Sequence, residues 1–315
     1  MTEEKFYNLV QRRKKFPADE GIREQLRPYK VDNAIIMAAG MSSRFVPLSL
    51  EKPKGLLEVR GEVLIERQIR QLQAAGIDDI TVVVGYKKEM FFYLAEQFKV
   101  KIVVNPDYYR YNNTSTLMLV LPLLKNTYIC SSDNYFVDNV FEEYVYHSYY
   151  AAVFAEGETN EYCLEYASDG RITGVSVGGR DAWYMLGHVY FDRNFSDRFR
   201  QILQHDYEQI PDVRNQLWED VYTVHVEELP LYIRQYDADK VKEFDSLEEL
   251  RSFDAGYLDN LNSAIMDNIA SVLQCSKRDI KDIYPIRSGM MNISFGFSCQ
   301  GKKYIYRQYC KNTEQ

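Results

Sequence analysis

Cysteine is sparse in this chain of 315 residues, and what is present does not pair by spacing: Cys130, Cys163, Cys275, Cys299 and Cys310 stand apart with no C-x-x-C. An odd, dispersed set excludes a zinc ribbon and argues against a disulfide framework, so reduced thiols in a cytoplasmic protein are expected. Long apolar runs are missing too. Ile80–Val84 and Leu117–Leu124 are among the most hydrophobic stretches, and both fall far short of the ~20 residues a membrane helix needs. The polar start Met1-Thr-Glu-Glu-Lys is no secretory signal. Positive charge is not in excess: 38 Lys and Arg face 46 Asp and Glu, a net charge of −8. That balance excludes the broad basic surface of a nucleic-acid binder. It still allows a local basic pocket for an anionic substrate. Neither the G-x-x-x-x-G-K-[ST] loop of an ATPase nor the G-x-G-x-x-G of a dinucleotide-binding dehydrogenase is found. No repeat and no low-complexity tract interrupts the chain.

What remains is an ordinary globular composition, 46% apolar and 27% charged, long enough for one large domain and a small one. Residues 1–30, with Gln11-Arg-Arg-Lys-Lys, read as an exposed helix and linker. A near-continuous apolar run, Asn33 to Ala39, then reads as a strand buried on both faces. Further strands are expected at Ile80–Val84, Lys101–Val104 and Thr127–Cys130. Helices fall between them: Leu64, Ile65, Ile69 and Leu72 share one face, as do Met90, Phe91, Leu94 and Phe98, and a third helix is expected over Thr116–Leu124. Strands alternating with helices imply right-handed βαβ units and a Rossmann-like, mostly parallel α/β sheet flanked by helices. After Tyr149 the rhythm changes to shorter strands at residues 151–155, 162–167, 171–177 and 184–191, with Ser168-Asp-Gly as a hairpin turn. This reads as an antiparallel substrate lid. Helices over residues 196–204 and 214–226 follow, and residues 231–245 return to strand character. The main domain is expected over residues 31–255. Residues 256–315 read as a separate segment, an apolar helix stripe (Leu258, Leu261, Ile265, Ile269, Val272) followed by strands with turns at Ser288-Gly289 and Gln300-Gly301.

Two patterns carry chemistry. Met37-Ala38-Ala39-Gly40-Met41-Ser42-Ser43-Arg44 leaves the first strand as a tight turn of small residues, and Glu51-Lys-Pro-Lys54-Gly follows. Small side chains let backbone N–H groups approach phosphate oxygens. Arg44 and Lys54 bracket that loop with two cations, as a triphosphate and its pyrophosphate leaving group require. The second pattern is Cys130-Ser-Ser132-Asp133-Asn134, a carboxylate at the C-terminal end of a buried strand, where ligands of open α/β sheets bind.

The first pattern resembles the A-A-G-x-G-x-R and P-K signature of the nucleoside-diphosphate-sugar pyrophosphorylase superfamily, with Ser42 in place of its second glycine. Across Asn33 to Phe253 the finer resemblance is to CTP:phosphocholine cytidylyltransferases. It rests on Ala38-Ala-Gly-Met-Ser-Ser-Arg, Val84-Gly-Tyr, Tyr111-Asn-Asn, Ser132-Asp-Asn, Thr159-Asn-Glu-Tyr and Glu243-Phe-Asp-Ser. The resemblance implies that residues 38–44 and Ser132 hold the nucleotide, that Asn112 and Asn113 read the base, and that Asp133 and Asp245 bind Mg²⁺. Asp245 also reads as the N-cap of a following helix, and Asn113 as a helix cap. The implied reaction joins CMP from CTP to phosphocholine, giving CDP-choline and pyrophosphate. A quaternary ammonium donates no hydrogen bond and is held by aromatic faces and carboxylates. Glu161, Tyr162, Trp218 and Asp220 supply both, and the two tryptophans, Trp183 and Trp218, fall in this region. The tail, from Pro285-Ile-Arg-Ser-Gly to Arg307, is similar to the first strands of choline kinase and its relatives, without their catalytic aspartates. Alternatives stand beside this reading: a sugar-1-phosphate nucleotidyltransferase, a catalytically silent nucleotide-binding regulator, and, against the missing catalytic lobe, a free-standing kinase. Base preference, oligomeric state and the choice among small phosphorylated substrates stay open.

Overall fold

The computed structural model describes residues 1–286 and 292–309. The chain forms two compact units, one of Met1–Gly40 with Arg67–Glu243 and one of Met41–Glu66 with the chain from Phe244 onward.

The first unit begins with a helical pair, α1 (Glu3–Lys15) and α2 (Glu20–Leu26), N-capped by Thr2 and Asp19. These residues are not the exposed linker their charge suggests. Phe6, Leu9, Ile22 and Leu26 are buried in a small core with Tyr144, and the basic run of α1 lies on the solvent side. Its cations fill the last turn, where they complement the helix dipole. The α/β part follows as β1 (Asn33–Ala38), α3 (Leu64–Ala74), β2 (Ile80–Val84), α4 (Tyr93–Phe98), β3 (Lys101–Val104), α5 (Asn113–Val120) and β4 (Thr127–Ser131). After these come β5 (Asn134–Phe136), β6 (Tyr149–Tyr166), β7 (Ile172–Phe191), α6 (Arg193–Gln209), α7 (Trp218–Val224), β8 (Tyr232–Tyr236) and β9 (Val241–Glu243). Two expected helices are shorter than their apolar spacing suggests. The one around Met90 is a 3-10 turn over Lys88–Phe91 and then α4, and the one before β4 ends at Val120 in a 3-10 turn around Pro122, whose ring removes a helical N–H.

Seven strands form one sheet in the order β8-β6-β7-β4-β1-β2-β3. β1 runs parallel to β2 and β4, β2 to β3, and β6 to β8; only β7 is antiparallel to its neighbours. The C-terminal ends of β1, β2 and β4 therefore share one edge. One apolar core cluster joins Ile35, Val83 and Ile129 of the sheet to Phe191, Phe199, Trp218 and Tyr222. Each such side chain contributes about 1.5–3 kcal/mol on burial.

The expected short lid strands are two long ones. β6 and β7 pair over most of their length, with register breaks between Ala155 and Glu158 and between Thr159 and Tyr162. The ribbon doubles back there: Cys163 pairs with Ser176 and also with Tyr184. Its tip, the Ser168-Asp-Gly turn, returns to β8, where Arg171 bridges Tyr232 and the N–H of Ile172 donates to Leu231 O at 2.8 Å.

The second unit holds a two-stranded ribbon (Glu58–Val59 with Glu62–Val63), then α8 (Leu247–Phe253), α9 (Tyr257–Asn260), α10 (Ala264–Leu273) and the antiparallel sheet β10 (Lys281–Pro285), β11 (Asn292–Cys299), β12 (Lys302–Tyr309). The boundary expected after residue 255 is thus displaced, because residues 41–66 join the tail. The N–H of Arg60 donates to Asp254 at 2.8 Å, the Arg60 guanidinium lies 3.8 Å from the centre of the Phe253 ring, and the Ile265 N–H donates to Glu51 at 3.0 Å. The single apolar helix stripe is broken into α9 and α10, and Val272 is exposed. Gln300 and Gly301 turn the last hairpin with φ of 49° and 77°, as a two-residue loop requires. The Ser288-Gly289 turn and Cys310 lie outside the described residues.

Candidate active site

In the first unit β1 brings Ala38 and Ala39 to the sheet edge, both buried, with Gly40 exposed beyond them. Two neighbours fix this turn. Ser132 N–H donates to Met37 O at 3.1 Å, and Tyr86 N–H donates to Ala39 O at 3.1 Å. A side chain at Gly85 would stand 2.6 Å from Tyr108 and 2.8 Å from Ala39 O, so Val84-Gly-Tyr presses its backbone against the loop. Asp133 stands two residues past the end of β4, half-buried, in the turn to β5 rather than at a helix cap. Asn134 beside it is 1% exposed, and its backbone pairs with Glu243 of β9, which holds that turn.

In the second unit Met41, Ser43 and Arg44 are exposed, and Ser42 lies in the left-handed region, φ 48°. Serine occupies the conformation for which the family pattern uses glycine. Lys54 is 6% exposed, its ammonium 5.8 Å from the centre of the Phe45 ring and 3.7 Å from Asp245 Oδ1. Arg44 reaches the same oxygen at 3.3 Å. One carboxylate thus orders both cations. Asp245 is not the N-cap of α8: Ser246 is, accepting from Glu249 N–H, and Glu249 in turn accepts the Asp245 N–H at 2.8 Å. The capping pair leaves the Asp245 carboxylate for other partners.

The expected base-reading loop belongs to the first unit. Asn112, not Asn113, caps α5. Asn113 instead bridges to α7: its Oδ1 accepts from Trp218 N–H (2.9 Å) and its Nδ2 donates to Glu219 (3.3 Å). Asp220 accepts from Tyr162 Oη–H at 2.7 Å and from Leu217 N–H at 2.9 Å. The structure therefore joins Tyr162 and Asp220, and leaves Glu161 exposed next to Tyr162 on the ribbon. Trp218 departs from expectation. It is 3% exposed, stacked on Tyr150 and edge-on to Phe191 and Phe199, so it offers no open face and is a core residue. Glu219 stands in the Trp218-Glu219-Asp220 run but is not among the four residues the sequence selects. It is half-buried between Asn113 and Tyr150, and desolvation pushes its carboxyl up to about 7 against hydrogen bonds that pull it down. Its position between Trp218 and Asp220 was visible, but its burial was not.

Comparison with known proteins decides the family. Residues 34–186 match the MobA-like NTP transferase domain. The 2-aminoethylphosphonate cytidylyltransferase of Lancefieldella rimae is 35% identical over 235 residues, 73% of this chain and 95% of the relative. The choline-phosphate cytidylyltransferase of Streptococcus pneumoniae is 33% identical over 221 residues, 70% of this chain and 96% of the relative. The chain belongs to the cytidylyltransferases of the nucleotidyltransferase superfamily. A solved structure of CTP:phosphocholine cytidylyltransferase from Streptococcus pneumoniae matches at TM-score 0.69 and 32% identity, covering 71% of this chain and 97% of that one. This cytidylyltransferase is an enzyme with the expected Rossmann-like sheet, and none of its described helices is long and apolar enough to cross a membrane.

Proposed function

We propose that the enzyme transfers CMP from CTP to phosphocholine, releasing pyrophosphate and CDP-choline. The observation that carries the choice of substrate is Asp220. Tyr162 and Leu217 already donate to it. A carboxylate so engaged serves a quaternary ammonium, which needs charge and no acceptor, and Tyr162 adds an aromatic ring beside it. The relative named for choline phosphate supports the same reading. The relative named for 2-aminoethylphosphonate supports a second, in which a primary ammonium replaces the quaternary one.

In this mechanism an oxygen of the substrate phosphate attacks the α-phosphorus of CTP, the bond to the β-phosphate breaks, and pyrophosphate leaves with the electron pair. Backbone N–H groups of residues 38–44 and Ser132 cradle the phosphates, with Asn112 and Asn113 toward the base. Arg44 neutralises the leaving group and Lys54 orients the α-phosphate. Asp133 and Asp245 would each offer carboxylate oxygens to a hard cation, and no cluster of three or more metal-binding side chains is found among the described residues. Two carboxylates suffice for Mg²⁺, which takes its other ligands from phosphate and water. When bound, Mg²⁺ would neutralise charge on the triphosphate.

The test is pyrophosphate release from CTP with phosphocholine, 2-aminoethylphosphonate, phosphoethanolamine and glucose-1-phosphate, beside an Asp133→Ala control. Turnover of phosphocholine at least tenfold above the others, lost in the control, supports the proposal. Preference for 2-aminoethylphosphonate selects the second reading, and turnover of the sugar alone rejects both.

A further inference from the structure

A cavity of about 250 Å³ lies in the first unit under the start of α1, where β6 and β8 begin. Tyr190 of β7 pairs with both Tyr149 and Tyr128, so this is the level at which β4 begins, the opposite end of the sheet from Asp133. The volume equals roughly eight waters at ~30 Å³ each, room for a small organic ion. Its walls are aromatic. Tyr7 of α1 is half exposed toward solvent, and the His147 ring stacks on Tyr232 with centroids 4.0 Å apart.

Its charge is negative. Each of three separate segments contributes a carboxylate: Glu3 from α1, Glu142 from the segment before β6, and Asp169 from the ribbon tip. Among the described residues Arg234 of β8 is the one cation lining it, and it is committed to Glu142 at 2.6 Å and to the Tyr149 ring at 4.7 Å. Burial lowers the His147 pKa, which keeps the ring neutral near pH 7. The positive end of the α1 dipole is offset by Glu3 and Glu4 in its first turn. Aromatic faces with surplus carboxylates are the recognition chemistry of an organic ammonium ion.

We propose that this cavity is a second small-molecule site, distinct from the transfer site, that binds an organic ammonium ion. The proposal does not rest on the substrate of the transfer reaction. The probe is tetramethylammonium chloride, which carries no phosphate and donates no hydrogen bond, titrated calorimetrically against a sodium chloride control. The wild type is expected to bind it. Asp220→Asn should bind it equally well. Glu3→Gln combined with Tyr7→Ala should weaken binding at least tenfold while pyrophosphate release stays within twofold of wild type. Because that double variant could loosen α1, Tyr232→Leu on the strand wall provides a second removal and should weaken binding to a similar degree. No binding by the wild type overturns the proposal. So does binding that survives both cavity variants, or that disappears in Asp220→Asn alone.

Discussion

Ser42 shows how much one backbone angle can determine. At φ 48° an L-residue other than glycine is strained by roughly 1–2 kcal/mol, least for small polar side chains. Ser42→Gly should therefore keep or raise stability and retain activity. Ser42→Val should lower thermal stability and raise the KM for CTP, because a β-branched residue fits the left-handed region worst. Equal melting temperatures for the two variants would contradict the argument. Glu219 gives a second prediction. Its carboxyl is raised to about 7 by burial, so the folded state holds its proton more tightly than the unfolded one. Stability from this group is full below the unfolded value near 4.5 and is lost as pH rises through about 7. Denaturant titrations should show wild-type stability falling across that window by up to about 3 kcal/mol. Glu219→Gln, isosteric and uncharged, should flatten the fall. A wild-type profile that is already flat from pH 4.5 to 7.5 would reject the shift.

At the scale of the element, β1 and its loop depend on a neighbour. The Gly85 position leaves no room for a Cβ against Tyr108 and Ala39 O. Gly85→Ala should push the loop outward, and the expected readout is at least a tenfold rise in the KM for CTP with a smaller drop in melting temperature. A variant that unfolds outright, or one with an unchanged KM, would mean that the contact does not hold the loop in its binding shape. The short α8 supplies another case. Ser246→Ala removes its N-cap and should cost about 1 kcal/mol. If Asp245 serves the site rather than the helix, Asp245→Asn should abolish turnover at a smaller cost in stability than the cap variant. The reverse ranking would return Asp245 to a capping role.

For the whole molecule, the parallel strands were legible because apolar runs such as Ile80–Val84 are buried on both faces and tolerate nothing else. The loop after β1 was legible for a related reason, since small residues directly after such a strand mark a tight turn at the sheet edge. Three things were hidden. The α1–α2 pair reads as charged linker, because Phe6, Leu9, Ile22 and Leu26 are scattered among cations and bury themselves only in three dimensions. Removal of residues 1–30 should therefore lower the melting temperature by several degrees and expose Tyr144; a truncation as stable as the full chain would contradict the packing. Trp218 was misjudged because rarity does not report exposure, and a ring that large is as useful to a core as to a ligand. The division into two units was invisible because residues 41–66 find their partners some two hundred positions downstream, at Asp254 and Ile265.

The doubled-back ribbon of β6 and β7 is anchored at its base by β4 and β8 and again at its tip, by the Arg171–Tyr232 bridge and the hydrogen bond from Ile172 to Leu231. Glu161 and Tyr162 ride on the span between those anchorages, opposite Gly178, which has a φ of 84°. Mechanically that is an arch with both feet planted, not a flap on a hinge. Its crown gives only by changing curvature, so a load at either foot is felt at the keystone.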